Sequence, residues 1–395
     1  MVSCQKDLYT SRLHPFPTYV DTESKPVQYQ EKKVYTTSEG VSASNLFNGA
    51  RLNGFEQIND STFTATIEPE NTPINPSPWY AFQLWGSSPR KVYLNIHYTH
   101  GKHRYTPKLS EDGLHWRELD TTRLTRIGND VQLELDLKAD TLWVAGQELF
   151  STNHLQAWLA RKTRENEAVR VRSYGKSKLG RDLYTATLYP ATKKNKQLIV
   201  LMSRQHPPEI TGQLAFLHFT ERLLEDDSLT RTFRQKYQIL LFPMQNPDGV
   251  DLGHWRHNAG GVDLNRDWDR YHQSENQQMA DYLISYANKQ QASVVLGLDF
   301  HSTWEDVYYT NRSDTATVYP GFTSRWLGGI KESISGYEPD IQPSNIGQPV
   351  SKGWFFVTFG AVGITYEIGD DTDREFIGVK SRIAAEKMME VLLQK

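Results

Sequence analysis

His206-Pro-Pro-Glu209 places a histidine three residues before a glutamate, and a second histidine, His301, stands far downstream. With one cysteine in the chain, Cys4, neither a cysteine-rich zinc centre nor an internal disulfide framework can form. A metal would have to be held by histidine and carboxylate. Two histidines and one carboxylate leave zinc an open position for water, the arrangement of a catalytic centre. Bound zinc acidifies that water and polarises a carbonyl, but a base must take the water's proton and later hand it to the leaving amine. Glu367, between Tyr366 and Ile368 at the end of an apolar run, is the candidate, because partial desolvation raises a carboxyl pKa. Arg256 and Arg266 are suited to two further tasks: stabilising an oxyanion, and gripping a planar C-terminal carboxylate.

The His-x-x-Glu spacing alone means little, since it occurs four times, at His115/Glu118, His206/Glu209, His218/Glu221 and His272/Glu275. Position separates the four. His115 and Glu118 read as strand residues, where a spacing of three points the side chains to opposite faces. His218 and Glu221 read as a pair on a helix surface, and His272 and Glu275 as the charged start of a helix. Only His206/Glu209 follows a buried-strand pattern, Gln197-Leu-Ile-Val-Leu-Met202, and encloses a Pro-Pro turn.

The elements that must position these groups are an alternation of apolar strands and amphipathic helices after about residue 150. Strands are expected at 197–202, 237–242, 293–298 and 362–366, and helices at about 212–226, 274–289 and 379–394. This is the grammar of an α/β fold with a largely parallel sheet. Ligands bind such sheets beyond the carboxyl ends of the strands. Just past those ends lie His206 and Glu209, then Arg256, Asp263, Asn265 and Arg266, then His301, and finally Glu367. Their convergence at one sheet edge is the strongest signal in the chain.

Residues 1–150 are different. Short aromatic and β-branched runs such as 61–67, 79–85, 92–98 and the alternating 131–137 predict an all-β sandwich. Residues 151–167 read as a linker helix, and 168–395 as the catalytic domain. With 44 basic and 47 acidic residues, the net charge of −3 excludes the basic excess expected of a nucleic-acid binder. No apolar run reaches the roughly 18 residues of a transmembrane segment. Met1-Val-Ser-Cys4 could be the end of a lipoprotein signal, which would give a periplasmic or cell-envelope location; otherwise a cytoplasmic one is expected.

In combination and order, the motifs over residues 168–395 resemble the zinc carboxypeptidase family. They are Val171-Arg-Ser-Tyr-Gly-Lys-Ser177 with Gly180-Arg-Asp-Leu183, His206-x-x-Glu209, Asn246-Pro-Asp-Gly249, Arg256-x-Asn258, Gly261-Val-Asp-Leu-Asn-Arg266, His301-Ser302 and Thr365-Tyr-Glu367. The resemblance implies the zinc carboxypeptidase fold, a mixed, largely parallel central sheet flanked by helices, and one zinc ion per chain on His206, Glu209 and His301. It implies Glu367 and Arg256 as catalytic residues, with Arg256 at the oxyanion. Asn265 and Arg266 would bind the terminal carboxylate of a peptide or protein substrate, and Asp263 would orient His206. The leading β-sandwich is similar to that of cytosolic carboxypeptidases.

Two departures stand out. Counting back 22 residues from Glu367, where the family carries a mobile tyrosine, reaches Asn345, and Tyr337 is the nearest tyrosine upstream. Ser351-Lys-Gly-Trp354 aligns with the segment lining the specificity pocket, which places Lys352 at its base and implies a preference for acidic C-terminal side chains. The rival enzyme readings are a deacylase of the aspartoacylase type and an endopeptidase of cell-wall peptides. A binding module without catalysis would lack a ligand or the base, and here each is present.

Overall fold

The computed structural model describes residues 7–10, 15–189 and 197–394, so the Cys4 expectation lies outside the described residues. Residues 34–145 form two facing sheets. One has six strands in the order Val34–Thr36, Val41–Ser44, Ala81–Gly86, Leu142–Ala145, Lys108–Ser110, Arg117–Glu118. The other has five: Gly54–Gln57, Thr62–Ile67, Arg90–Tyr98, Asp130–Leu137, Leu124–Ile127. Strict alternation in Asp130–Leu137 buries Val131, Leu133, Leu135 and Leu137 against Phe82 and Leu84 of the facing sheet. His115 corrects the sequence reading: it precedes the short strand Arg117–Glu118, and its ring bonds Asp112 in a turn.

The helix Thr152–Glu165 leads into an eight-stranded mixed sheet. Its order is Val169–Lys176, Asp182–Leu188, Tyr237–Phe242, Gln197–Ser203, Ser293–Thr303, Val362–Gly369, Val307–Thr310, Ile341–Pro343. The strands 237–242, 197–203, 293–303 and 362–369 run parallel at its centre. They read as continuous apolar runs because both faces are covered. Ile199 and Leu201 pack on Phe216, Ala384 and Met388 of the helices Ile210–Leu224 and Arg374–Leu393. The alternate residues Leu198, Val200 and Met202 pack on Met279, Leu283 and Trp354 of Ser274–Gln290 and Ser351–Phe359. Ile210 and Trp255 are buried in the core of the β-sandwich, so the two regions share an interior.

Segment Ser351–Phe359 is a helix despite its aromatic and β-branched composition, because packing of Trp354, Phe355 and Phe359 on the sheet overrides local propensity. Lys352 stands on the first turn of this helix. The hairpin Val169–Lys176 and Asp182–Leu188 was also hidden: its first strand is largely exposed at the sheet edge and lacks an apolar run.

Candidate active site

Three parallel strand ends supply the cluster. His206 follows Gln197–Ser203, and Glu209 is the residue from which the helix Ile210–Leu224 starts. His301 lies within Ser293–Thr303, and Glu367 within Val362–Gly369, paired in register beside it. Gly212, on the first turn of that helix, lies against the His301 carbonyl so closely that a Cβ would overlap it. Its N–H is anchored by Ser302 Oγ at 2.8 Å.

The Nδ1 atoms of His206 and His301 face each other at 3.1 Å. Glu209 closes the triangle, its carboxylate oxygens 2.8 Å from His206 Nδ1 and 2.7 Å from His301 Nδ1. The edges of a tetrahedral zinc site with ordinary bond lengths are about 3.3 Å, so this buried donor set is of the right size and chemistry. The other ring nitrogens are committed to carboxylates: His206 Nε2 to Asp263 at 2.8 Å and His301 Nε2 to Asp299 at 2.8 Å. An Nε2–H donated outward leaves each Nδ1 lone pair pointing inward, which is how ligating histidines are oriented. Asp299 was not singled out in the sequence, although a position two before His301 on a strand puts both side chains on one face.

Electrostatics divide the carboxylates. Burial alone would raise Glu209, but His206 and His301 outweigh it and hold its carboxyl below the usual range. Glu367 is pushed up to about 7, chiefly by burial, with the Glu209 charge adding to it against His301, His206 and Arg256. Its Oε2 is buried and has no hydrogen-bond partner among the described residues.

The cluster opens into a cavity of about 170 Å³ lined by His206, Glu209, Arg256, Asn265, Arg266, Lys352 and Glu367. Asp263 sits behind it, receiving Arg256 through Nε and Nη2, each at 2.8 Å. Arg266 Nη1 donates to Asn265 O at 2.8 Å, and Asn265 Oδ1 accepts from Ser351 N at 2.9 Å, joining this wall to the helix that carries Lys352. Lys352 is 1% exposed, and burial lowers its ammonium to about 8. Its polar partner is the amide oxygen of Asn311 at 3.4 Å.

All nine residues singled out in the sequence thus come together, seven on the cavity wall and His301 and Asp263 directly behind. Asn345, the position reached by counting back from Glu367, lines the cavity, whereas Tyr337 packs on Phe376 and Tyr308 away from it. Several neighbours were missed, among them Tyr309, which lines the cavity. Arg104 and Ser77 of the β-sandwich also line it, with Arg104 held by Asp370 at 2.6 Å. The other three His-x-x-Glu pairs take structural roles; His218 and Glu221, 3.8 Å apart, lie on a helix surface as expected.

A parallel-centred sheet bearing a buried His-Glu-His cluster at its strand ends, with a carboxylate and arginines around it, defines a metallopeptidase-type fold and site. Residues 155–321 match the zinc carboxypeptidase family. Cytosolic carboxypeptidase 6 of Caenorhabditis elegans is 35% identical over 126 residues, 31% of this chain and 27% of that protein. An uncharacterised protein of Zymomonas mobilis is 26% identical over 229 residues, 56% of this chain and 58% of that protein. The chain therefore spans less than two thirds of these curated relatives. A metallo-carboxypeptidase from Burkholderia cenocepacia shares the fold at a TM-score of 0.72 and 17% identity, covering 90% of this chain and 98% of that one.

Proposed function

We propose that this protein is a zinc metallocarboxypeptidase that hydrolyses the last peptide bond of peptides or proteins, with a preference for acidic C-terminal side chains. The observation that carries the reading is that Arg266, Asn265 and Lys352 line the same cavity as His206, Glu209 and Glu367. His206, Glu209 and His301 would hold zinc, which supplies an acidified water and polarises the scissile carbonyl. Glu367, with its raised pKa and an unshared buried oxygen, is suited to accept the water's proton and return it to the leaving amine. Arg256 is preset by Asp263 and positioned to stabilise the developing oxyanion. Arg266 and Asn265 would hold the substrate's terminal carboxylate. Lys352, buried without a carboxylate partner among the described residues, would receive the side-chain carboxylate.

The test is a panel of peptides ending in Glu, Lys or Phe, each with free and amidated C-termini, analysed by mass. Release of single residues from free termini, fastest for Glu, is expected. A Lys or Phe preference removes the role of Lys352. Cleavage of amidated peptides would favour an endopeptidase, and release of a free acyl acid a deacylase.

A further inference from the structure

We propose that Glu70 of the β-sandwich is a positioning residue for catalysis, holding the loop that presents Arg256. This inference rests on the peptidase reading for its catalytic consequence.

Glu70 follows the strand Thr62–Ile67 and is 0% exposed. Its carboxylate accepts three consecutive backbone N–H groups of the opposite region: Trp255 N at 2.7 Å on Oε2, and Arg256 N at 3.0 Å and His257 N at 2.6 Å on Oε1. A buried carboxylate is costly unless it is hydrogen-bonded, and a short loop lacks secondary-structure partners for its own N–H groups. Each therefore satisfies the other, across 185 residues of sequence.

The neighbouring residue extends the grip. Asn71 Oδ1 meets His257 Nδ1 at 2.6 Å, and Asn71 Nδ2 donates to Gly261 O at 3.0 Å. Gly261 has a φ of +70°, and a Cβ there would lie 2.7 Å from both Asn71 Nδ2 and Lys25 O. The loop can approach this closely only with glycine at that point. From the clamped backbone Arg256 reaches Asp263, and Asp263 reaches His206 Nε2. One contact from the β-sandwich thus sets the origin of a chain that ends at the His206, Glu209 and His301 cluster. No local motif announces it, because the partners belong to separate regions.

Glu70→Gln keeps the size but replaces one accepting oxygen with an amide nitrogen, which donates and cannot accept. In the zinc-loaded full chain, kcat should fall about tenfold with KM nearly unchanged, a part of the roughly 10²–10³ that an oxyanion donor supplies. In an Arg256→Ala background the same change should cost almost nothing further in kcat, because both act through one group. Independently of turnover, amide hydrogen exchange of 255–257 should quicken in Glu70→Gln while zinc content stays at one per chain. Glu70→Asp, which keeps the charge on a shorter arm, should lie between, and it carries the test if the glutamine variant does not fold. Equal losses of kcat in the two backgrounds, or unchanged exchange at 255–257, would overturn the proposal. A wild-type chain inactive on every peptide sinks the peptidase reading instead, and the exchange measurement then decides the clamp alone.

Discussion

Two buried lysines on opposite sides of the strand Val362–Gly369 differ in whether the fold supplies a carboxylate to meet the buried charge. Lys380, 0% exposed, forms an ion pair with Asp306, whose Oδ1 also accepts the N–H of Gly369 at 2.8 Å. Aromatic rings of Tyr337, Tyr366 and Phe376 surround it. Lys352, 1% exposed, has an amide oxygen at 3.4 Å and no carboxylate within ion-pair distance among the described residues. Burying an ammonium costs several kcal/mol unless its charge is met. Lys380 meets that charge within the fold. Lys352 does not, and it faces the cavity that His206 and Glu209 also line. The difference teaches that burial alone does not fix the state of a charge: Lys380 is matched by a carboxylate within the fold, and Lys352 brings an unmatched charge to the cavity wall.

The largest effects should come from the His-Glu-His cluster and the glutamate beside it. His206→Ala removes a donor of the cluster, and zinc content measured after dialysis should fall well below one per chain, with activity lost. Glu367→Gln should retain zinc yet lower kcat by about 10³, within the range for a lost proton-transfer group. Substantial turnover in that variant would deny Glu367 its role as base.

Next come the lysines, for which opposite signs are expected. Lys380→Met leaves Asp306 without its cation and should lower unfolding free energy by about 3 kcal/mol, while the ratio of Glu to Phe release stays constant. Lys352→Met removes an unmatched buried charge. A lysine lowered from 10.5 to about 8 is held at a stability cost that is fully present below pH 8 and vanishes above 10.5. Its replacement should therefore raise stability at pH 7 by about 1–3 kcal/mol. The same variant should raise KM for Glu-ended peptides some 10–100-fold, the worth of one charged hydrogen bond, and spare Phe-ended ones. Denaturant titration of both variants tests the comparison directly; two destabilised variants would break it.

The smallest effect is on pH dependence. Lys352 is charged below about pH 8 and loses its proton above it. KM for Glu-ended substrates should rise above that value, and KM for Phe-ended substrates should not follow.

Legibility followed the same division. The central strands were visible because burial on both faces demands unbroken apolar runs, as in Tyr237–Phe242. His206, Glu209, His301 and Glu367 were visible because strand ends in an α/β sheet have a shared destination. The hairpin Val169–Lys176 with Asp182–Leu188 was hidden by its exposure, and the helix Ser351–Phe359 by a composition that favours strands. Asp299 could have been found from its two-residue spacing to His301. Glu70 and Arg104 could not, since their partners lie 185 and 266 residues away.

Sequence alone therefore determined the chemistry available: a cysteine-free donor set, a carboxylate beside it and arginines within one block, all at predictable strand ends. Tertiary structure alone decided which charges are matched and which are free. Periodicity reports what is buried, but whether a buried charge is neutralised depends on partners from distant parts of the chain. Lys380 and Lys352 differ by that, and so does the clamp of Glu70 on the loop of Arg256.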